Sequence, residues 1–226
     1  MMAVACACLL VLVGCAPSRH EHKGAAAAGH DATVRHSFAD VEHWAAVFDD
    51  PGRAAWQKPA EVVRALALQP GQIVADLGAG TGYFSSDLAA AVGAEGSVFA
   101  VDPELNLVAH LRQRAERDKL ANVIPVLASA DNPRLPAGGV DLILIVDTIH
   151  HIDDRLNYLR RLRTRLRPGG RVAVIDWKKE DTPLGPPIAH RLARDQVVAE
   201  LDAAGFALAD EPGFLPYQYF LIFAPR

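Results

Sequence analysis

Residues 74–83 read Val74-Ala75-Asp76-Leu77-Gly78-Ala79-Gly80-Thr81-Gly82-Tyr83. The apolar start predicts a buried strand, and the glycines predict a turn that opens a helix. Glycine has no Cβ, so the backbone of such a turn can come close to a ligand. A dinucleotide-binding turn would read G-x-G-x-x-G, but here Tyr83 stands where the last glycine is expected. Asp76 is suited to accept a hydrogen bond from an amino-acid ammonium, a group that nicotinamide cofactors lack.

Predicted strands and helices alternate on both sides of this stretch. Strands separated by helices of this length predict a doubly wound α/β fold with a parallel sheet. The last two strands are separated only by a turn-rich segment, which predicts that they pair antiparallel at the sheet edge. The predicted strands are residues 73–77, 97–101, 123–127, 141–146, 171–175, 207–210 and 217–224, and the predicted helices are residues 59–68, 83–92, 104–119, 155–166 and 189–204.

Acidic residues stand at the ends of the next two predicted strands. Asp102 ends the run Val98-Phe99-Ala100-Val101-Asp102, twenty residues after Gly82, where the two hydroxyls of a ribose would lie. Asp131 ends the run that begins at Val126 and is placed to bind an adenine amino group. One acid at a strand end is often only a helix cap or turn residue. Three on successive strand ends, with Asp76, indicate a ligand site.

From about Lys58 to Arg226 the chain resembles the class I S-adenosylmethionine-dependent methyltransferases. Asp76 and the three glycines stand in the family's first motif, Asp102 in its ribose-binding position and Asp131 in its adenine-binding position. The segment 166–171, Leu-Arg-Pro-Gly-Gly-Arg, matches the turn before the family's fifth strand, and Asp147 matches its fourth motif. The resemblance implies a Rossmann-like, seven-stranded sheet, mostly parallel with an antiparallel last strand.

The resemblance also implies S-adenosyl-L-methionine as cofactor and a methyl acceptor that is a small molecule. The segment Asp147-Thr148-Ile149-His150 is not the signature of enzymes that methylate base or glutamine amino nitrogens. The pair His150 and His151 is similar to small-molecule methyltransferases, including those that methylate quinone rings, and either histidine is a candidate general base. The residues expected to bind cofactor are Asp76, Gly78, Ala79, Gly80, Gly82, Tyr83, Asp102, Pro103, Ala130, Asp131 and Asp147.

The composition argues against two classes of site. The chain has 226 residues and a net charge of -4, which gives no general attraction to nucleic acid. Its three cysteines are Cys6, Cys8 and Cys15, so the remainder has no disulfide, thiolate zinc site or cysteine nucleophile. Four histidines lie between residues 20 and 36, but they are scattered along a polar segment, and we predict no metal site.

The first forty residues predict export and anchoring. The apolar run from Met2 to Val13 is too short to cross about 30 Å of hydrocarbon as a helix and is typical of a cleaved signal, although no Lys or Arg precedes it. Leu12-Val13-Gly14-Cys15 resembles a bacterial lipobox. We expect a lipoprotein signal peptide over residues 1–15 with Cys15 lipidated, a flexible spacer over residues 16–40, and the enzyme domain over residues 41–226.

This organisation implies a membrane-anchored protein on the periplasmic side or in the cell envelope; if the signal is not used, the location is cytoplasmic. Two other functions remain open from the sequence. One is a nicotinamide-dependent oxidoreductase, against which Asp76 and Tyr83 argue. The other is a lipoprotein that keeps the fold as a non-catalytic cofactor-binding module, because an exported enzyme must still obtain a cofactor made in the cytoplasm.

Overall fold

The computed structural model describes residues 40–129 and 131–226. Within these ranges a seven-stranded sheet is covered by helices on both faces. The strands are β1 Ile73–Leu77, β2 Ser97–Asp102, β3 Val123–Leu127, β4 Val140–Val146, β5 Leu166–Trp177, β6 Phe206–Asp210 and β7 Gln218–Pro225. The helices are α1 Val41–Phe48, α2 Arg53–Gln57, α3 Pro59–Ala65, α4 Ser85–Val92, α5 Leu105–Arg117, α6 Arg155–Arg163 and α7 Arg194–Ala203, with short 3-10 turns at Ile149–His151 and Ile188–His190.

The strand order is β3-β2-β1-β4-β5-β7-β6. β1 pairs in parallel with both β2 and β4, so the order reverses direction beside the first strand. β7 runs antiparallel to β5 and to β6. The predicted Rossmann-like α/β fold, its seven strands and its antiparallel last strand are therefore confirmed. The switch of strand order next to β1 is the place where folds of this kind bind ligands.

Each face of the sheet has its own apolar core. Side chains of a strand alternate between faces, so Ile143 and Ile145 of β4 pack with α6 and α7, whereas Leu142 and Leu144 pack with α3 and α4. All four are fully buried. A central strand buried on both sides reads as a continuous apolar run, which is why residues 142–146 predicted a strand without alternation.

Two segments differ clearly from the sequence prediction. The fifth strand begins at Leu166 instead of residue 171, because Leu166 pairs with Val140 before the register shifts to Arg171 opposite Leu142. The predicted turn at 166–171 is thus an irregular extension of the strand. α7 begins at Arg194 instead of residue 189, after a long loop.

Two short helices, α1 and α2, precede the first predicted helix, which begins at residue 59. Asp40 caps α1 by accepting a hydrogen bond from the backbone N–H of His43. The predicted signal peptide and Cys15 lie outside the described residues, as does the spacer up to residue 39. None of the helices in residues 40–129 and 131–226 is long and apolar enough to cross a membrane.

Candidate active site

The glycine-rich turn lies at the carboxyl end of β1 and is tied to the end of β2. The backbone N–H groups of Gly78 and Ala79 both donate to the carbonyl oxygen of Val101, at 2.8 and 3.0 Å. Gly78 and Gly80 have φ of +73° and +58°, values that favour glycine. A Cβ built on Gly78 would lie 2.2 Å from Oγ1 of Thr148, so the loop after β4 packs directly against this turn.

Two of the predicted acids are buried beneath the turn. Asp102 accepts hydrogen bonds from the backbone N–H of Gly80 and of Glu104, both at 2.9 Å. Asp76 accepts one from the Ser85 hydroxyl at 2.7 Å. Burial raises the pKa of Asp76 and of Asp102 to about 6. The carboxylates are thus held in place but are less acidic than exposed ones, and a ligand that donates hydrogen bonds would favour their ionised form.

A cavity of about 270 Å³ opens where β1 to β4 end, beside the 3-10 turn and α6. Four predicted residues line it: Gly78, Pro103, Asp131 and His151. The rest of the lining is Leu77, Val101, Ala128, Ser129, Thr148, Ile152, Asp153, Asp154, Asn157, Tyr158 and Arg161. Its mixed apolar and polar wall suits a nucleoside, whose base needs apolar surface and whose sugar needs hydrogen-bond acceptors.

The third predicted acid, Asp131, lines this cavity; it is exposed and accepts a hydrogen bond from the Ser129 hydroxyl at 2.8 Å. That hydrogen bond lowers the pKa of Asp131. Ala130, also predicted to bind cofactor, lies outside the described residues. Asp131 therefore presents an ionised carboxylate to the cavity.

The helices that the sequence analysis missed cover the glycine turn. Phe48, the last residue of α1, lies 3.6 Å from where a Cβ of Gly80 would stand. Asp49 accepts a hydrogen bond from the Thr81 hydroxyl and pairs with Arg114 of α5, both at 2.9 Å. Nothing in the sequence pattern pointed to Asp49, because its partners are 32 and 65 residues away. The N-terminal segment is thereby fixed over the turn.

Arg53 of α2 brings a half-buried cation to the same region. Its guanidinium lies 4.2 Å above the centre of the Tyr83 ring and donates to the carbonyl of Phe48 at 2.7 Å. It also pairs with the carboxylate of Asp147 at 3.6 Å and contacts the Gln57 side chain. These contacts place Tyr83, which the sequence predicted to bind cofactor, beside Arg53, to which no sequence pattern pointed.

Asp147, at the end of β4, is held by two amides in addition to Arg53. Gln57 donates to it at 3.1 Å, and Gln218 of β7 donates to its other oxygen. Both glutamines are buried, and Asp147 has a φ of +50°, unusual for a residue other than glycine. Burial raises the pKa of Asp147. Strained backbone held by several partners is common at functional sites.

The paired histidines follow at the 3-10 turn. Nδ1 of His150 lies 2.9 and 2.8 Å from the two carboxylate oxygens of Asp176, at the end of β5. The ring of His151 stacks 4.2 Å from that of His150. Burial lowers the pKa of His150, but the hydrogen bond and charge of Asp176 outweigh it, so the pKa is raised overall. Asp176 was missed, although it is another acid at a strand end.

Three aromatic rings, those of Trp56, Trp177 and Tyr217, lie close together at the end of β5. The Trp56 ring of α2 lies 5.0 Å from Trp177, the last residue of β5, and 6.5 Å from Tyr217. Trp56 thus packs on the last residue of β5 and on the residue that precedes β7. Because Gln57, the next residue, contacts Asp147, this aromatic group lies beside the polar network at the end of β4.

Part of the chain matches a known protein family. Residues 74–170, from β1 to the first part of β5, match the family model described as "Methyltransferase domain". This segment has a methyltransferase-like sequence. It contains the glycine turn, both buried acids, the cavity wall and the paired histidines.

The chain is also similar to a solved structure of a SAM-dependent methyltransferase from Aquifex aeolicus, with a TM-score of 0.78 and 26% identity over 84% of this chain and 98% of that one. It is 28% identical to demethylmenaquinone methyltransferase of Listeria welshimeri over 92 residues, which are 41% of this chain and 39% of the relative. The chain thus spans about two fifths of the length of the curated relatives it matches. These comparisons support the class I methyltransferase superfamily and S-adenosylmethionine as cofactor, and they lend no support to either alternative function.

Proposed function

We propose that this protein is an S-adenosylmethionine-dependent methyltransferase that acts on a small-molecule acceptor. One observation carries the proposal: the Asp102 carboxylate is hydrogen-bonded to Gly80 of the glycine turn, directly beside a cavity lined by Gly78, Pro103 and Asp131. The family match and the Aquifex structure support the same reading.

The residues present fit the cofactor group by group. Asp102 accepts two backbone hydrogen bonds, and a carboxylate has about four acceptor positions, so two remain for ribose hydroxyls. Asp131 would accept from the adenine amino group. Asp76 and the strained Asp147 supply negative charge for the ammonium, and Arg53 supplies positive charge for the carboxylate of the amino-acid part.

When bound, S-adenosylmethionine supplies a methyl group already activated by its sulfonium. The protein then needs to hold an acceptor in line with that methyl group and exclude water. Such orientation can contribute about 7 to 11 kcal/mol. His150 or His151, directly after Asp147, would remove a proton from an acceptor that carries one.

Replacing Asp102 with asparagine is expected to weaken S-adenosylmethionine binding at least tenfold. The reason is that a charge-assisted hydrogen bond contributes on the order of 1.5 to 3 kcal/mol, and asparagine keeps the shape without the charge. Isothermal titration calorimetry measures the change, with Asp195→Asn, at the exposed start of α7, as the control. Because burial raises the pKa of Asp102 to about 6, wild-type affinity should also fall as the pH drops through that value. Tighter binding of NAD than of S-adenosylmethionine would contradict the proposal.

We also propose, from the lipobox-like segment before Cys15 and the absence of cysteine after it, that the protein is a lipoprotein of the cell envelope. Lipidation of Cys15 would leave a spacer of roughly twenty-five residues before α1. Two or more acyl chains hold a protein stably on a membrane, whereas one gives only marginal binding.

Cys15→Ser is expected to abolish labelling by a fatty-acid analogue and to release the protein from the membrane fraction. The reason is that serine has no thiol to accept the diacylglyceryl group. Cys8→Ser serves as the matched control, since it removes a thiol from the same segment and should leave labelling intact. Mass spectrometry that finds the intact chain from Met1 onward in the cytosol would refute export.

A further inference from the structure

The pair formed by His150 and Asp176 is the best-defined proton-handling group near the site. Both side chains are almost fully buried, with 4% and 0% of their surface exposed. Asp176 lies on β5, and His150 lies on the 3-10 turn that follows β4, the parallel neighbour of β5, so both side chains meet at the same edge of the sheet. A buried carboxylate needs a partner, and here the imidazole provides it.

The contacts of Asp176 fix which nitrogen of His150 carries a proton. Both carboxylate oxygens lie within 2.9 Å of Nδ1, and one of them also accepts from the backbone N–H of Trp177 at 2.7 Å. An ionised carboxylate can only accept, so Nδ1 must be the donor. In the neutral ring Nε2 is then the nitrogen with a free lone pair.

Three charged groups and one neutral hydroxyl from neighbouring elements surround this pair. Asp147 at the end of β4 raises the pKa of His150, and Arg155 of α6 lowers it. Arg155 is itself paired with Glu200 of α7, at 2.6 Å, which offsets its charge. The Tyr219 hydroxyl on β7 is buried and has no hydrogen-bond partner within residues 40–129 and 131–226. The negative groups dominate, which favours proton uptake by the imidazole.

We propose that Asp176 is a positioning residue that holds His150 with Nε2 unprotonated, ready to accept a proton from an acceptor hydroxyl of phenolic acidity. This inference rests on the proposed methyltransferase function. As the O–H proton moves to Nε2, the oxygen lone pair forms a bond to the methyl carbon. The carbon–sulfur bond breaks with its electron pair going to sulfur, and the imidazolium later releases its proton to water.

The acidity of the acceptor follows from the strength of the base. A positioned base is most useful when its pKa lies near working pH and the proton it removes is not far more strongly held. A phenol, with a pKa of about 10, meets this condition. A carboxylate acceptor is already ionised at neutral pH and needs no base. The acceptor expected from this base is a phenol or an enol; a protonated amine, whose pKa is also about 10, is the competing class that the turnover test distinguishes.

The direct test is the protonation state of His150 in the free protein. Long-range proton–nitrogen NMR of protein labelled with ¹⁵N-histidine reports the tautomer, and the signal lost in His150→Gln assigns the residue. We expect the neutral wild-type ring to carry its proton on Nδ1 and to titrate above the ordinary histidine pKa.

In Asp176→Asn the amide oxygen should stay with the Trp177 N–H, which turns the amide NH₂ toward Nδ1. The proton should then move to Nε2 and the pKa should fall. A wild-type ring protonated on Nε2, or a tautomer and pKa unchanged by the substitution, would overturn the proposal. Val174→Ala, on the same strand and the same face, is the control for lost packing and should leave the tautomer unchanged.

Turnover of phenol and of 4-nitrophenol, followed by release of S-adenosylhomocysteine, tests the consequence. Asp176→Asn should lose roughly 10² to 10⁴-fold in kcat on phenol, less on 4-nitrophenol, which ionises without help near neutral pH, and nothing in cofactor affinity. If the wild type fails to bind S-adenosylmethionine, the proposed function falls while the NMR result still decides the state of the pair. If it binds the cofactor but methylates only amines or carboxylates, the phenolic acceptor is wrong.

Discussion

His150→Gln is expected to lower kcat by roughly 10² to 10⁴-fold and to leave the affinity for S-adenosylmethionine almost unchanged. General-base assistance acts on the transition state, so its loss appears in kcat and not in cofactor binding. Glutamine fills most of the same volume and can still hydrogen-bond to Asp176, which is completely buried. The measurement is steady-state kinetics with an acceptor drawn from a panel of phenols, quinols, amines and carboxylates.

The rate of the wild type should rise with pH if His150 is the general base. The neutral form of His150 is the active one, and Asp176 raises its pKa above the ordinary value of about 6.5. The rate at saturating cofactor should therefore be low below the raised pKa, rise as the pH passes through it, and flatten above. His150→Gln should remove that rise.

His151→Gln is the paired comparison, because His151 stacks on His150 and lines the cavity. If only His151→Gln lowers kcat, the general base is His151 and not His150. If both variants keep near-normal rates and lose only thermal stability, the pair is structural and positioning alone would explain catalysis.

The sheet could be predicted because its signals are local. Apolar runs such as 142–146, followed by glycine or an acid, mark strand ends without any knowledge of the partner strands. The same locality located Asp76, Asp102 and Asp131, since all three follow apolar runs. Boundaries were less accurate where tertiary pairing extends an element, as at Leu166, which continues β5 only because Val140 lies opposite.

The segment that covers the glycine turn, with α1 and α2, could not be predicted, because its contacts are not local in sequence. Arg53 pairs with Asp147 and Asp49 pairs with Arg114, and both partners are far away in sequence. Arg53 begins α2, which is five residues long, and Asp49 follows α1, which is eight residues long. Helices this short have weak periodicity and depend on packing for stability. Asp176 is an intermediate case: its position at a strand end was visible, but its partner became identifiable only when β4 and β5 were placed side by side.

Gly78→Ala is expected to destabilise the protein by about 2 to 5 kcal/mol and to prevent cofactor binding. Two costs add here. A non-glycine residue at φ +73° is strained by about 1 to 2 kcal/mol, and the new Cβ would lie 2.2 Å from Thr148 Oγ1, an overlap that costs typically 1 to 3 kcal/mol. Thr148 cannot simply rotate away, because its hydroxyl donates to the carbonyl of Val146 at 2.7 Å.

Gly71→Ala separates the two costs. Gly71 has a φ of +84°, and nothing lies within 4 Å of where its Cβ would stand, so this variant carries only the backbone strain. Urea unfolding of both variants, with S-adenosylmethionine binding measured by calorimetry, should show Gly78→Ala to be the more destabilised by at least about 1 kcal/mol. Adding Thr148→Gly to Gly78→Ala removes all the clashing atoms and should recover the steric part but not the strain. Equal destabilisation of Gly71→Ala and Gly78→Ala would mean that the loop after β4 does not press on the glycine turn, and the close packing that forms this wall of the cavity would be wrong.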